Sequence, residues 1–274
     1  MIGILSVPSS SSGCLRMAED EIIFLGTGGA RVVVATQLRA TGGILFYLDG
    51  KLILVDPGPG SLIRFLQYGR PHRISRLRVF IITHRHIDHS SDINVMIDGL
   101  TEGGKKKRGI LFGPADALNQ DPVVLKFYQG LLEKIIIIEE GASCQLDNLK
   151  IGFPISHQHG VETYGITFHL PDYSIGYITD TKYFPSISNY YKNDILIINV
   201  LRPEPIEYDH LYVPDVEKIL NRTRPALAII THFGMMMLKK NPFKIAAELS
   251  KKSRVKVIAA KDGMRIKPSE QLNG

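Results

Sequence analysis

The chain has 274 residues, of which 44% are hydrophobic and 22% charged, with a formal net charge of +6. This length suits one large α/β domain, and the apolar content excludes global disorder. The two cysteines, Cys14 and Cys144, exclude a disulfide framework and a thiolate zinc site, and fit a reducing, cytoplasmic setting.

No run of eighteen apolar residues is present, so no membrane span is expected. Residues 1–20 read as a loose tail, because the apolar start has no basic segment before it, unlike a signal peptide. Residues 21–274 read as a single domain. Residues 22–25 form the first predicted strand, stopped by Gly26, Gly28 and Gly29. Residues 43–48 and 52–55 make a hairpin around Asp49-Gly50, a strong turn dipeptide. Residues 79–82 form a buried strand. The run Lys105-Lys106-Lys107-Arg108, flanked by glycines, is either a basic loop or a solvated turn. The four isoleucines at 135–138 are β-branched and too few for a helix.

The second half continues in the same style, with strands at 149–155, 165–169, 174–178, 195–200 and 226–230. Helices are expected after Gly60, Ser91, Pro114, Pro214 and Pro242, with Asp92 a candidate cap for the helix after Ser91. Strands flanked by helices throughout predict one α/β domain with helix-covered sheets.

The segment Thr83-His84-Arg85-His86-Ile87-Asp88-His89 follows the apolar strand ending at Ile82. Four candidate ligands lie within six positions, and neutral imidazole and carboxylate suit first-row metals. His84 and His86 alternate on an extended segment and can face one way, while Asp88 and His89 can face a second ion.

This H-x-H-x-D-H pattern resembles the signature of the metallo-β-lactamase superfamily. Further segments match in order: Leu52-Ile53-Leu54-Val55-Asp56-Pro57-Gly58, Ile155-Ser156-His157, Tyr177-Ile178-Thr179-Asp180-Thr181 and Ile229-Ile230-Thr231-His232. The resemblance covers nearly the whole chain from Glu21 onward. It implies a four-layer αββα sandwich holding two divalent metal ions, zinc by default with manganese or iron open. It places His84, His86 and His157 on one ion, Asp88, His89 and His232 on the other, and Asp180 between them. His159 competes with His157, which is preferred because it directly ends the apolar run. Asp56 would orient the ligand loop.

Phe24-Leu25-Gly26-Thr27-Gly28-Gly29 is similar to the opening of ribonuclease Z-like and other phosphodiesterase branches. In those branches a non-ligand histidine between the fourth and fifth motifs works near the scissile phosphate, and His210 occupies that interval. Its bland alternative is packing. The long glycine- and proline-rich arm that grips tRNA is not identifiable. The resemblance thus implies a hydrolase using a metal-bridging hydroxide, with Asp88 positioning that nucleophile. Its substrate would be a small-molecule or nucleic-acid phosphodiester, RNA included. Two divalent ions, two aspartates and a hydroxide leave a net charge of about +1, which suits an anion. The alternatives are a lactone, thioester or amide hydrolase on the same centre, or a non-catalytic metal- or RNA-binding module. Oligomeric state is left open.

Overall fold

A computed structural model describes residues 19–41, 43–205 and 207–272. Among these residues fourteen strands form two seven-stranded sheets. The first sheet contains β1 (Glu21–Phe24), β2 (Ile44–Leu48), β3 (Lys51–Val55), β4 (Leu77–Ile81), β5 (Ile110–Gly113), β6 (Lys134–Ile137) and the distant β14 (Arg265–Ile266), which pairs with β1. The second contains β7 (Ala142–Leu146), β8 (Leu149–Phe153), β9 (Ile166–His169), β10 (Ser174–Ile178), β11 (Ile195–Asn199), β12 (Leu227–Thr231) and β13 (Val257–Ala259).

Both sheets follow one plan. From β1 to β3 and from β7 to β10 the strands are antiparallel. From β3 to β6 and from β10 to β13 they are parallel. Parallel neighbours require long crossovers, and these supply the covering helices. Phe46, Ile53, Ile81, Phe168, Tyr177 and Ile197 belong to the core between the sheets. A second core packs the first sheet under helices Ser61–Tyr68 and Ile93–Thr101, through Phe65, Met96 and Ile97. A third packs the other sheet under Val213–Thr223 and Pro242–Ser253, through Val216, Leu220 and Leu249. The result is the expected four-layer αββα order. Strands buried on both faces read as continuous apolar runs, and Ile195–Ile198 and Leu227–Ile230 are fully buried.

Several details differ from expectation. Residues 1–18 of the expected tail lie outside the described residues. Asp20 is already tied down: it accepts from the Asp49 backbone N–H (2.8 Å) and from the Tyr173 hydroxyl (2.7 Å). β5, β7, β13 and β14 were not anticipated. The isoleucine run forms the edge strand β6, with Ile137 43% exposed. The basic run is a surface turn in which Lys106 and Arg108 both pair with Glu102, at 2.9 and 3.0 Å. Asp92 does not cap its own helix; its Oδ2 accepts from the Leu62 N–H at 3.0 Å, at the start of Ser61–Tyr68.

The Phe46 and Phe168 rings meet between the sheets with centroids 4.8 Å apart. Phe46→Ala should cost about 3–5 kcal/mol, as large core truncations do. Urea unfolding of parent and variant measures this, and a loss below about 1 kcal/mol would contradict a tightly packed intersheet core.

Candidate metal centre

The site lies where the parallel strands end. β3 runs into Asp56, β4 into Thr83 and His84, β10 into Asp180 and β12 into His232, while Asn199 ends β11. The carboxyl ends of parallel strands are where α/β sheets gather ligands, because the rigid strand fixes the first residue of each loop. After β4 the chain stays extended through His86 and then turns into the short helix Ile87–Ser90, carrying Asp88 and His89. Two glycines allow the necessary close approach. A Cβ on Gly58 would lie 2.0 Å from the Asp88 carbonyl oxygen, and one on Gly29 would lie 2.2 Å from the His232 ring.

Four overlapping groups of potential ligand atoms result among the described residues, each with its atoms within 4.8 Å of one another. They are His84, His86 and His159; His84, His89 and Asp180; Asp88, His89 and His232; and His159, Asp180 and His210. The six histidines and two carboxylates thus form one continuous cluster. The structure gathers every expected site residue except His157.

His157 faces elsewhere. Its Nε2 lies 2.8 Å from the Tyr191 hydroxyl in a buried contact, and Gly165 leaves room for both rings. His159, the competitor, occupies the place instead. Its Nδ1 donates to the Asp209 carbonyl at 2.8 Å, which leaves Nε2 bare and 3.1 Å from His86 Nδ1. The preference for His157 rested on strand adjacency. The two residues beyond the strand end reverse it, because Tyr191, 34 positions away, captures the first ring.

Hydrogen bonds fix the tautomers. Asp56 accepts from the Thr83 N–H, the Thr83 hydroxyl and His89 Nδ1, at 2.8, 2.8 and 3.0 Å. Thr83 Oγ1, having donated its proton, accepts from His84 Nδ1 at 3.1 Å. His84 therefore presents a bare Nε2 to the interior of the cluster, and His89, whenever its ring is neutral, does the same. Asp180 accepts from Asn199 Nδ2 at 2.8 Å through Oδ1 and turns Oδ2 toward the rings. Sequence reasoning missed Thr83 and Asn199. Their signal was a lone polar residue closing an otherwise apolar strand.

The electrostatics favour bound positive charge. Burial raises the Asp180 and Asp88 carboxyls, yet neighbouring histidines override it and hold both well below the usual range: His232, His210 and His89 act on Asp180, and His89 and His232 act on Asp88. Burial lowers His89, but Asp88, Asp56 and Asp180 more than offset this and push it well above an ordinary imidazole. His84 is pushed well down, by burial and then by His89. Burial brings His210 to about 4, so it is neutral at pH 7 although it lies 3.6 Å from Asp180 Oδ2.

These residues fit divalent cations. His84 Nε2 is fully buried with no hydrogen-bond partner, and His89 Nε2 lies 3.1 Å from His232 Nε2. A buried bare nitrogen is costly unless a positive centre satisfies it, and the two apposed imidazole nitrogens must share either a proton or a cation. The donor set of nitrogen and oxygen without thiolate suits zinc, manganese or iron.

The sequence profile of the beta-lactamase superfamily domain matches residues 51–233, which hold the whole cluster. The chain belongs to this superfamily. An uncharacterized protein of Methanocaldococcus jannaschii is 33% identical over 266 residues, spanning 93% of this chain and 96% of that one. Ribonuclease Z of Kineococcus radiotolerans is 33% identical over 103 residues, covering 37% of this chain but only 31% of the relative. Among solved structures, the metallo-beta-lactamase fold protein YhfI of Bacillus subtilis superposes with a TM-score of 0.74 at 20% identity, over 90% of this chain and 99% of that one. The superfamily fold is therefore shared along almost the entire described chain, and its segment with ribonuclease Z similarity is shorter. No helix among the described residues is long and apolar enough to cross a membrane.

The contrast between the two neighbouring histidines is testable. His159→Ala should lower zinc uptake, whereas His157→Gln should leave it near the parent level, as read by metal analysis after dialysis. Burial lowers His157 to about 3 in the folded chain, against roughly 6.5 when unfolded. Its contribution to stability is complete above about pH 6.5 and is lost as pH falls toward 3. Chelator-treated His157→Gln should therefore lose less stability than the parent across that window. Equal acid slopes in urea unfolding would count against the buried neutral ring.

Proposed function

We propose that this chain is a metal-dependent hydrolase that cleaves phosphodiesters or related anionic esters. The observation that carries this reading is the continuous histidine and carboxylate cluster at the strand ends, with bare imidazole nitrogens turned inward and His210 beside it. His84, His86 and His159 would hold one ion, and Asp88, His89 and His232 the other. Asp180 would lie between, since its Oδ2 is 3.8 Å from His84 Nε2 and 3.4 and 3.6 Å from His89 and His232 Nε2. Zinc is the default for these donors. Divalent ions in such a setting supply Lewis-acid activation of water at neutral pH and offset negative charge on the substrate.

The side chains do the rest. Asp88, whose Oδ2 is 3.4 Å from His232 Nε2, remains ionised and can orient a water. His210, neutral at pH 7, carries one N–H that can donate to a phosphoryl oxygen. Its side chain is 18% exposed, so a substrate can reach it. The ribonuclease Z similarity and the net charge of +6 support a phosphodiester, RNA included, over an uncharged ester.

Metal-loaded protein should hydrolyse bis(p-nitrophenyl) phosphate faster than a panel of lactones and thioesters, and the reverse order would replace this reading with the neutral-ester one. Asp88→Ala should reduce turnover by roughly two orders of magnitude or more while circular dichroism shows the fold retained; near-parental turnover would remove Asp88 from the reaction. His210→Ala should reduce turnover by ~10²–10⁴ with metal content unchanged. If its melting temperature falls instead and turnover per folded molecule is constant, the residue serves packing.

A further inference from the structure

Asp180 can join two half-sites only if its carboxylate head is held. A carboxylate turns readily about its last bond, where the torsional preference is broad and roughly two-fold. In this chain Oδ2 faces four imidazoles, with His84, His89, His210 and His232 nitrogens at 3.8, 3.4, 3.6 and 3.6 Å. Oδ1 instead accepts from Asn199 Nδ2 at 2.8 Å. An ionised carboxylate only accepts hydrogen bonds, so the amide must present its NH₂ end here.

Asn199 is placed for this by register. β11 lies between β10, which leads into Asp180, and β12, which leads into His232. Ile198 pairs with Ile178, and Asn199 pairs with Thr231. The asparagine is therefore level with the two ligand-bearing loops at the end of a strand whose preceding four residues are fully buried. Asn199 is itself 3% exposed. Its Oδ1 has no hydrogen-bond partner, and the residue lines a small cavity of about 30 Å³ with Asp56, Tyr177 and His232. A buried unpaired oxygen costs stability, and an apolar residue would fill the end of this strand at no such cost. The purpose of the amide thus lies at its other end.

We infer that Asn199 is a positioning residue of the metal centre, holding the Asp180 carboxylate so that Oδ1 is withheld and Oδ2 is presented to the cations. This rests on the metal-centre reading above but not on the identity of the substrate. Asn199 touches none of the six histidines through a hydrogen bond given by the structure; its side chain meets the Asp180 carboxylate and the Tyr177 hydroxyl. A group that orients a metal-binding carboxylate is typically worth 10–100-fold in metal affinity.

The test is zinc affinity without substrate, by competition with a chromogenic chelator, for the parent, Asn199→Leu and Asn199→Ala. Leucine keeps a similar volume and removes the donor; alanine removes the donor without risk of overpacking. Both variants should bind zinc about 10–100-fold more weakly, while circular dichroism shows them folded. Parent-like zinc affinity in either folded variant overturns the inference, as does a parent that takes up no zinc. Because no substrate is present, a parent that binds zinc yet fails to cleave phosphodiesters overturns only the proposed reaction.

Discussion

The site depends on one buried carboxylate. Asp56 is 3% exposed and receives donors from the β4 end and from the helix Ile87–Ser90: the Thr83 N–H and hydroxyl, and His89 Nδ1. The Tyr177 hydroxyl on the opposite sheet approaches the same oxygen at 3.5 Å. A buried carboxylate is tolerable only when its lone pairs are satisfied. The requirement to satisfy them draws β3, β4, β10 and the helix Ile87–Ser90 to one point. Asp56 adopts a left-handed backbone, with φ of 51°, a conformation more accessible to aspartate than to most residues. It thereby turns the chain from the end of β3 into Pro57 and on to Gly58, which lies against the Asp88 carbonyl.

That single anchor also decides which atoms face the interior. A histidine has one bare nitrogen when neutral, and the hydrogen bond at the other nitrogen selects it. Asp56 makes the selection for His89 directly and for His84 through Thr83. The Asp209 carbonyl does the same for His159, and Asn199 does the corresponding work for the Asp180 carboxylate. The inner layer of nitrogens and oxygens is therefore specified by an outer layer of ordinary hydrogen bonds, contributed by both sheets. Neither sheet alone carries the cluster: His84 to His89 follow β4, and Asp180 and His232 follow β10 and β12.

The charge distribution follows from this closeness. Carboxylates at Asp56, Asp88 and Asp180 surround His89 and raise its affinity for a proton, while His84, His86 and His210 are held neutral. The same field that attracts a proton to the middle of the cluster attracts a divalent ion more strongly. His210 stands at the border of this field, near enough to Asp180 to be aimed and partly open to solvent.

The sequence by itself determined the local parts. His84, His86, Asp88 and His89 were legible because consecutive positions after an apolar strand share one rigid support, so spacing alone implies convergence. The apolar strands β1 to β4 and β8 to β12 were legible because burial on both faces leaves a continuous apolar run. Two strands lacked that signal: β7 alternates between intermediate and exposed residues without a β-branched side chain, and β14 is only two residues long. Tertiary structure alone decided matters between distant residues. His159 rather than His157 entered the cluster because the Tyr191 hydroxyl meets the latter. Asp92 caps a helix thirty positions earlier because the two helices pack together. Asn199 faces Asp180 because β11 lies between β10 and β12. In each case the sequence offered a residue of the right chemistry, and only the packing of remote elements supplied its partner.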